Sequence, residues 1–444
     1  MKEYRICDFG AKVCDRLQTK EIQAAIDACF LAGGGRVVIP AGIFLTGGIR
    51  LRSHVTLYLE SGAVLRGSRD CNDYSAYLDD KIEPIVIPEK RHPSDSVYPY
   101  SRWNNGLIKV VDAENVSIIG ERGSYIDGAN CFDPLGEGRS RGPHAINIQN
   151  SKNIYLEGYT VTDSANWAHA IFNTPGITVK NIKVLGGHDG FDIRTCDDVL
   201  IENCEFYTGD DCVAGFDNKN VAIRNCVFDC ACSAIRFGGT DVLIENCKGI
   251  APSSFGFRGH LTEEEQKNGV PTGEHCRHTM HTAFQYYCDF RADIRYAPGN
   301  IVVRNCDFEN PKAIFLHIFD GEHVWCSNRA LGSITFENCS FTGLTEAGVL
   351  CSDKDEPLDF RLKNVRITSG REDADFPVFE AKACKYIELD NVSVEGFKDP
   401  YIVSDRASVV KIKGNTSIEV VERDAFSFSN PYVENMKMPI VKYK

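Results

Sequence analysis

Three aspartates near the middle of the chain are spaced so that they could take part in one reaction. Asp189 lies 21 residues before Asp210, which is followed directly by Asp211, and the surrounding sequence repeats with nearly the same period. If one repeat forms one turn of a solenoid, the three carboxylates meet on neighbouring turns. Carboxylates held so close repel one another, and at least one pKa is therefore expected to rise. A protonated acid beside an ionised carboxylate is the pair that glycoside hydrolysis requires.

The residue types alone leave two other interpretations open. The aspartates could be ordinary turn residues, or their hard oxygen ligands could bind Ca²⁺. Gly209 precedes the pair, and a turn or bulge at this glycine would let Asp210 and Asp211 face the same side. A glycine at this position also permits the close approach of a ligand.

The repeat consists of a β-branched triplet, then Asn, often Cys, and then another β-forming residue. Its asparagines are Asn153, Asn181, Asn203, Asn225, Asn246, Asn305, Asn338, Asn364 and Asn391, and the central spacings are 22, 22 and 21 residues. Short strands at such a period predict an all-β fold, a right-handed single-stranded parallel β-helix. A leucine-rich repeat is excluded because the chain lacks the LxxLxL framework.

Two recurring residue types have structural explanations within such a helix. The asparagines are expected to stack as an amide ladder in a turn with left-handed backbone geometry. The repeated cysteines are expected to be small apolar residues stacked in the core. They are Cys204, Cys226, Cys247, Cys306 and Cys339.

The remaining segments are interpreted as additions to a single domain over residues 1–444. Residues 1–35 form an N-terminal cap, with apolar side chains at helical spacing over residues 20–32, Thr19 as N-cap and Gly33–Gly35 ending the helix. The repeat breaks between residues 250 and 300, which predicts a loop insertion over the cleft.

Composition excludes several classes of protein. The 444 residues include 49 Lys and Arg against 62 Asp and Glu, a net charge of −13, which disfavours nucleic acid as a partner. The chain contains no run of about 18 apolar residues, so no membrane span is predicted. The first residues contain no apolar run of a signal peptide, so we expect the 19 cysteines to be reduced thiols and the protein to be cytoplasmic.

Over most of residues 5–400 the chain resembles the polygalacturonases, glycoside hydrolase family 28. Its opening runs DFGA, IQAAIDAC and GGGRVVIPAGIFLTGGIRLRSHVTLYLESGAVLRGS are similar to the entry region of that family. The Gly-Asp-Asp motif of the family matches Gly209–Asp211 in full, and its Asn-Thr-Asp motif falls on Gly187–Asp189, where the Asp is kept. Two motifs are altered: Gly-His-Gly falls on Ala231–Ser233, and Arg-Ile-Lys on Arg258–His260.

The resemblance implies a role for each matched residue. Asp210 would be the general acid, while Asp189 and Asp211 would hold and deprotonate the attacking water, with inversion and without a cofactor or a metal. The substrate would be a pectin-derived or related oligosaccharide, cleaved by exo-action. The expected substrate-binding residues are His188, Cys232, Arg236, Arg258 and His260. Because His260 replaces the uronate-binding Lys and Cys232 replaces the family's His, the identity of the sugar stays open.

Other functions remain in competition with hydrolysis of a galacturonide. The same fold could carry a hydrolase of a non-uronate glycoside, a polysaccharide lyase or epimerase that uses a base and Ca²⁺, or a carbohydrate-binding protein without activity. His275, His278 and His281 share a three-residue spacing, which is compatible with zinc ligands or with a loop that lines the substrate.

Overall fold

The computed structural model describes residues 2–77, 105–289, 293–320, 326 and 328–435. The chain divides into two compact units. The first unit holds the described residues of 1–84, 94–211 and 254–277, and the second those of 212–253 and 278–444. Whether the two units form the single domain expected from the sequence stays a prediction.

The first unit is built from short strands joined by turns. In order they are β1 (Glu3–Arg5), β2 (Gly35–Ile39), β3 (Gly42–Thr46), β4 (Ile49–Leu51), β5 (Val55–Leu59), β6 (Ala63–Gly67), β7 (Gly106–Val111), β8 (Glu114–Gly120), β9 (Tyr125–Asp127), β10 (His144–Gln149), β11 (Lys152–Glu157), β12 (Thr160–Thr162), β13 (His169–Phe172), β14 (Ile177–Lys180), β15 (Lys183–Leu185), β16 (Phe191–Arg194), β17 (Asp197–Glu202) and β18 (Glu205–Thr208).

Most strands of the first unit stack in parallel on the strand three positions further along the chain. Thus β10 pairs with β13, and β13 with β16. In a second ladder, Ile154 pairs with Ile177 and Ile177 with Val199, so one turn takes 23 and then 22 residues. Three such ladders form the walls of a parallel β-helix, and the right-handed β-helix class expected from the repeat is confirmed.

The second unit follows the same plan, and several of its strands run through a corner into the next wall. Its strands are β19 (Val213–Arg224), β20 (Val227–Cys230), β21 (Ser233–Glu245), β22 (Lys248–Ile250), β23 (Thr282–Tyr286), β24 (Gly299–Arg304), β25 (Asp307–Glu309), β26 (Ala313–Ile318), β27 (Ser333–Glu337), β28 (Ser340–Leu344), β29 (Gly348–Cys351), β30 (Asp359–Ser369), β31 (Phe379–Lys382), β32 (Tyr386–Glu395), β33 (Tyr401–Ser404), β34 (Val410–Lys413) and β35 (Glu419–Glu422).

The segment between residues 250 and 300 is not a loop throughout. It contains a 3₁₀ turn at Arg258–His260 and a short helix, α2, at Glu263–Lys267, the latter closed by a capping box. It also contains β23, which pairs in parallel with β21 and β26 as a regular member of a ladder. Sequence reasoning missed this strand because no Asn-Cys pair marks it.

The N-terminal helix α1 spans Thr19–Leu31 and buries Ile22, Ala25, Ile26 and Cys29, the face that the helical spacing predicted. The assignment of Thr19 as N-cap was wrong. Gln18 occupies that position, and the Thr19 hydroxyl accepts a hydrogen bond from the backbone N–H of Gly47 at 2.8 Å. A last short helix, α3, covers Pro431–Asn435. In the described residues, no helix is long and apolar enough to cross a membrane.

The asparagine ladder is present where the repeat predicted it. Asn338 donates from its side chain to Asn305, Asn364 to Asn338, and Asn391 to Asn364, at 3.2, 3.0 and 3.3 Å. Their φ angles lie between 52° and 54°, in the left-handed region that Asn tolerates. The five repeat cysteines are buried, as expected of core residues, and all 19 cysteines are free thiols.

A buried histidine in the first unit should make the protein sensitive to acid. His169 stacks on Phe191, its Nδ1 donates to the Gly190 carbonyl at 3.1 Å, and its Nε2 accepts from the Tyr159 hydroxyl at 3.0 Å. Burial lowers the pKa of His169 from 6.5 to about 3. Between these two values the unfolded chain binds a proton that the folded chain does not, so stability falls as the pH falls.

We therefore expect acidification from pH 6.5 to 5 to cost about 1.6 kcal/mol through His169, because the slope rises from half of about 1.4 kcal/mol per pH unit at pH 6.5 towards the full value. Urea unfolding at the two pH values measures this difference in the free energy of unfolding. The variant His169→Gln should lose that part of the pH dependence. The matched change His54→Gln, at an exposed histidine of the same unit, should keep it. Equal pH dependence in the wild type and His169→Gln would contradict the prediction.

Candidate active site

Two turns of the first unit bring the predicted acids together. Asp189 directly precedes Gly190 and β16, and Asp210 and Asp211 follow β18 in a turn rather than in a strand. The backbone N–H of Asp211 donates to Oδ1 of Asp189 at 3.3 Å, and the N–H of Gly190 donates to the Asp211 carbonyl at 2.9 Å. The juxtaposition of Asp189 and Asp211, inferred from the repeat, is therefore present.

The three aspartates differ in their access to solvent. Asp189 and Asp211 are each 1% exposed, whereas the side chain of Asp210 keeps 15% of its surface. A proton donor has to reach the bridging oxygen of a substrate, while groups that hold a water molecule work best when enclosed. This difference fits the division of roles that the resemblance implies.

The structure requires a glycine at position 209 for a reason other than the expected approach of a ligand. A Cβ added at this residue would lie 2.4 Å from the carbonyl oxygen of Gly256 and 2.9 Å from that of Gly187. Backbone atoms therefore fill the space. The segment after β22 passes over the turn at this point and supports the backbone that carries Asp210 and Asp211.

Arg141 is a member of the site that sequence reasoning missed. It lies between β9 and β10, and its Nη2 is 3.9 Å from Oδ2 of Asp210, while its Nη1 is 3.5 Å from Glu137. The only signal in the sequence is a charged run among glycines, GEGRSRGPH, outside the repeat. Because that run has no repeat register, its distance from Asp210 could not be inferred.

His188 is buried next to positive charges. Burial lowers the pKa of His188 well below its ordinary value, and the charges of Arg141, Arg258 and His144 lower it further. Its Nδ1 has no hydrogen-bond partner within the described part of the chain. The imidazole is therefore neutral at physiological pH and can serve as a hydrogen-bonding group but not as a cation.

Two predicted substrate contacts lie in the segment that returns to the first unit. Arg258 is 3% exposed and its Nη1 donates to the Ser164 carbonyl at 2.9 Å, while burial lowers the pKa of Arg258 to about 10. His260 is exposed, and its Nδ1 accepts from the backbone N–H of Arg277 at 3.4 Å. Arg258 is thus buried, anchors its segment to the Ser164 carbonyl and keeps its charge at neutral pH. The substrate-binding roles of Arg258 and His260 stay predictions.

The other two predicted contacts belong to the second unit. Cys232 is buried in the turn between β20 and β21. Arg236 lies on β21 with its guanidinium 4.5 Å from the centre of the Tyr287 ring, a cation–π contact. Their substrate-binding roles also remain predictions.

The three histidines at three-residue spacing each have their own contacts. His275 Nε2 lies 2.9 Å from the His260 carbonyl, His278 Nδ1 lies 2.8 Å from the Ser253 carbonyl, and the His281 ring packs 5.1 Å from that of Tyr432. Within the described ranges, no group of three potential metal ligands includes any of them. The zinc interpretation has no support.

The ladder of β7, β10, β13 and β16 carries polar side chains on its outer face, and several of them are buried. Asp192 and Arg194 form a two-point ion pair at 2.6 and 2.8 Å, and the guanidinium lies 4.8 Å from the Trp167 ring. Side chains on this face alternate with those of the apolar interior, and five of its polar residues are 6% exposed or less. They are Lys109, Asn147, Gln149, Asp192 and Arg194.

Fold and site together define a class: parallel β-helix proteins with clustered carboxylates in the turns of the coil. Residues 79–232 match the profile of glycosyl hydrolases family 28. The chain is 29% identical over 235 residues to a probable polygalacturonase of Vitis vinifera, covering 49% of this chain and 45% of that protein. It is 46% identical over 162 residues to the exo-poly-alpha-D-galacturonosidase of Dickeya chrysanthemi, covering 34% and 24%. The chain is therefore similar to the polygalacturonases of family 28, the resemblance that its motifs indicated.

Solved structures agree on the fold. The family 28 exopolygalacturonase of Yersinia enterocolitica superposes with a TM-score of 0.52 at 18% identity, over 94% of this chain and 77% of that one. A tailspike protein of E. coli bacteriophage HK620 superposes with a TM-score of 0.56 at 14% identity, over 95% and 78%. At such identities the likeness shows the fold alone. The chain spans less than half the length of the curated relatives named above.

Proposed function

We propose that the protein is a glycosidase that hydrolyses galacturonide bonds in pectin-derived oligosaccharides. The observation that carries the proposal is the arrangement of the three acids. Asp189 and Asp211 are joined through a hydrogen bond and enclosed, while the more exposed Asp210 lies beside Arg141. The names of the relatives, polygalacturonase and exo-poly-alpha-D-galacturonosidase, support the substrate.

The proposed reaction consumes one water molecule. Asp210 gives its proton to the bridging oxygen as the glycosidic C–O bond breaks. Asp189 and Asp211 hold the water and take its proton as its oxygen bonds to the anomeric carbon from the opposite face, which inverts that centre. His188 stays neutral and therefore adds no further cation to the site.

Positive charge at the site supports an acidic sugar as substrate. The protein carries a net charge of −13, which repels an anionic oligosaccharide at long range. Near the acids, however, Arg141 and Arg258 lie close enough to His188 to lower its pKa. Positive charge near the acids favours a substrate that brings its own carboxylate.

We propose exo-action because the polar residues on the outer face of the ladder next to the acids are buried. An open groove for a long chain would leave the outward polar residues of the ladder in contact with solvent. In this protein Lys109, Asn147 and Asp192 on that face are buried. We infer from this burial that a chain end, rather than a chain interior, is bound beside that wall of the first unit.

We expect the wild-type enzyme to release one short product from oligogalacturonides from the first minutes of reaction. Chromatography of the products over time, with reducing-sugar release on galacturonides, their methyl esters and neutral galactosides, tests both substrate and mode. A spread of intermediate lengths would refute exo-action. Turnover confined to neutral glycosides would refute the galacturonide.

The same assay distinguishes the competing functions. A lyase would form an unsaturated product that absorbs near the ultraviolet edge and would lose activity with a chelator. A binding protein would retain the oligosaccharide without any release of reducing sugar. Hydrolysis without ultraviolet absorbance supports the proposal against both.

A cytoplasmic location is part of the proposal. It is supported by the 19 free thiols, which suit a reducing compartment. Fractionation of cells that produce the protein, with detection by antibody, tests the location. Recovery outside the cytoplasm would overturn this part.

A further inference from the structure

We propose that Arg141 binds the carboxylate of the uronic acid residue at the cleavage site. The inference rests on the proposed function and names the residue that recognises the acidic sugar. In the family motif, that recognition belongs to the positions of Arg258 and His260. The geometry of the first unit points to a different part of the chain.

The distance from Arg141 to the proposed acid places its charge where a uronate carboxylate has to lie. Nη2 of Arg141 is 3.9 Å from Oδ2 of Asp210, and the side chain is 19% exposed. In a galacturonide the carboxylate is attached to the sugar ring whose linkage is being cleaved. A cation within 4 Å of the proton donor therefore meets that carboxylate once the bridging oxygen has reached Asp210. The guanidinium presents five N–H donors in a plane, which suits two-point binding of a carboxylate.

The loop that carries Arg141 is held rigidly at its backbone. The Arg141 N–H donates to the Glu137 carbonyl at 3.0 Å. A Cβ on Gly136 would lie 1.9 Å from the Arg141 carbonyl oxygen, and one on Gly142 would lie 2.2 Å from that of Cys131. Both glycines therefore allow backbone contacts that a side chain would prevent. Because the backbone is held, the entropy lost when Arg141 binds a ligand is limited to that of its side chain.

Arg258 and His260, the residues suggested by the family motif, are poorly suited to bind the uronate carboxylate. Arg258 is 3% exposed and donates to the Ser164 carbonyl, so its contacts are those of a structural tie. The pKa of the His260 imidazole is lowered by desolvation and by the charges of Arg277 and His275, so His260 is neutral at physiological pH. Arg141 combines a permanent charge, partial exposure and contact with the proposed acid.

The test compares a galacturonide with its methyl ester, which has nearly the same shape but no charge. In Arg141→Gln, kcat/KM on the acid should fall about 10- to 100-fold, mainly through KM, since a hydrogen bond to a charged group contributes about 1.5–3 kcal/mol. On the ester it should fall less than about threefold. Arg141→Lys, which keeps the charge, should recover part of the preference. Arg139→Gln removes an exposed arginine from the same loop and should behave as the wild type.

An equal loss on acid and ester would overturn the inference, since it would mean that Arg141 acts through Asp210 or on the fold. Calorimetric titration with galacturonate and with galactose separates this outcome from failure of the proposed function. If the wild type binds galacturonate and Arg141→Gln does not, the inference stands even without hydrolysis. If the wild type hydrolyses galacturonides and Arg141→Gln keeps its preference for the acid, the inference fails while the proposed function stands.

Discussion

Replacing Asp210 by Asn should lower kcat on oligogalacturonides about 1000-fold, within the range that a general acid contributes. The amide has nearly the shape of the carboxyl group but cannot give a proton to the bridging oxygen. Because the side chain of Asp210 is partly exposed beside Arg141, the change should leave the fold intact. Initial rates of reducing-sugar release measure the effect.

A substrate with an activated leaving group distinguishes the acid from the bases. A nitrophenyl galacturonide needs little proton donation, so Asp210→Asn should retain much more of its activity on this substrate. Asp189→Asn and Asp211→Asn impair the attack of water and should lose activity on both substrates. The matched control is Asp112→Asn, at an exposed residue with a φ of 51° that Asn adopts readily. An equal loss on both substrates in Asp210→Asn would assign the acid elsewhere.

Gly209→Ala should destabilise the protein by about 3 kcal/mol, the upper end of the usual cost of overpacking. The new Cβ would lie 2.4 Å from the Gly256 carbonyl oxygen and 2.9 Å from that of Gly187, and both obstacles are backbone. Relief requires either the turn with Asp210 or the segment after β22 to move. Activity should therefore fall together with stability.

Urea unfolding gives the change in free energy for Gly209→Ala. Gly299→Ala is the control, because a Cβ there would meet its neighbours only at 3.6 to 3.9 Å, which is ordinary contact. That variant should remain within about 1 kcal/mol of the wild type. A Gly209→Ala protein as stable as the control would show that the segment around Gly256 does not support the turn.

The buried face of α1 was predicted from helical spacing, and the other features that the sequence predicted correctly follow from its repeat. In a parallel β-helix each residue contacts residues one turn away, at a nearly constant separation in the chain. The pairing of Ile154 with Ile177 and of Ile177 with Val199 is such a separation. The meeting of Asp189 and Asp211, the asparagine ladder and the buried cysteine column are further consequences of the same period.

What the sequence could not decide lies in segments without that period. Arg141 reaches Asp210 from a loop between β9 and β10, and Gly256 reaches Gly209 from a segment that leaves the coil after β22. The burial of Arg258 also depends on where that segment returns. The repeat by itself determined the fold and the meeting of Asp189 with Asp211, because neighbouring turns stack in fixed register. Only the tertiary structure decided which groups surround the acids, because a loop outside the repeat is positioned by its packing and not by its place in the sequence.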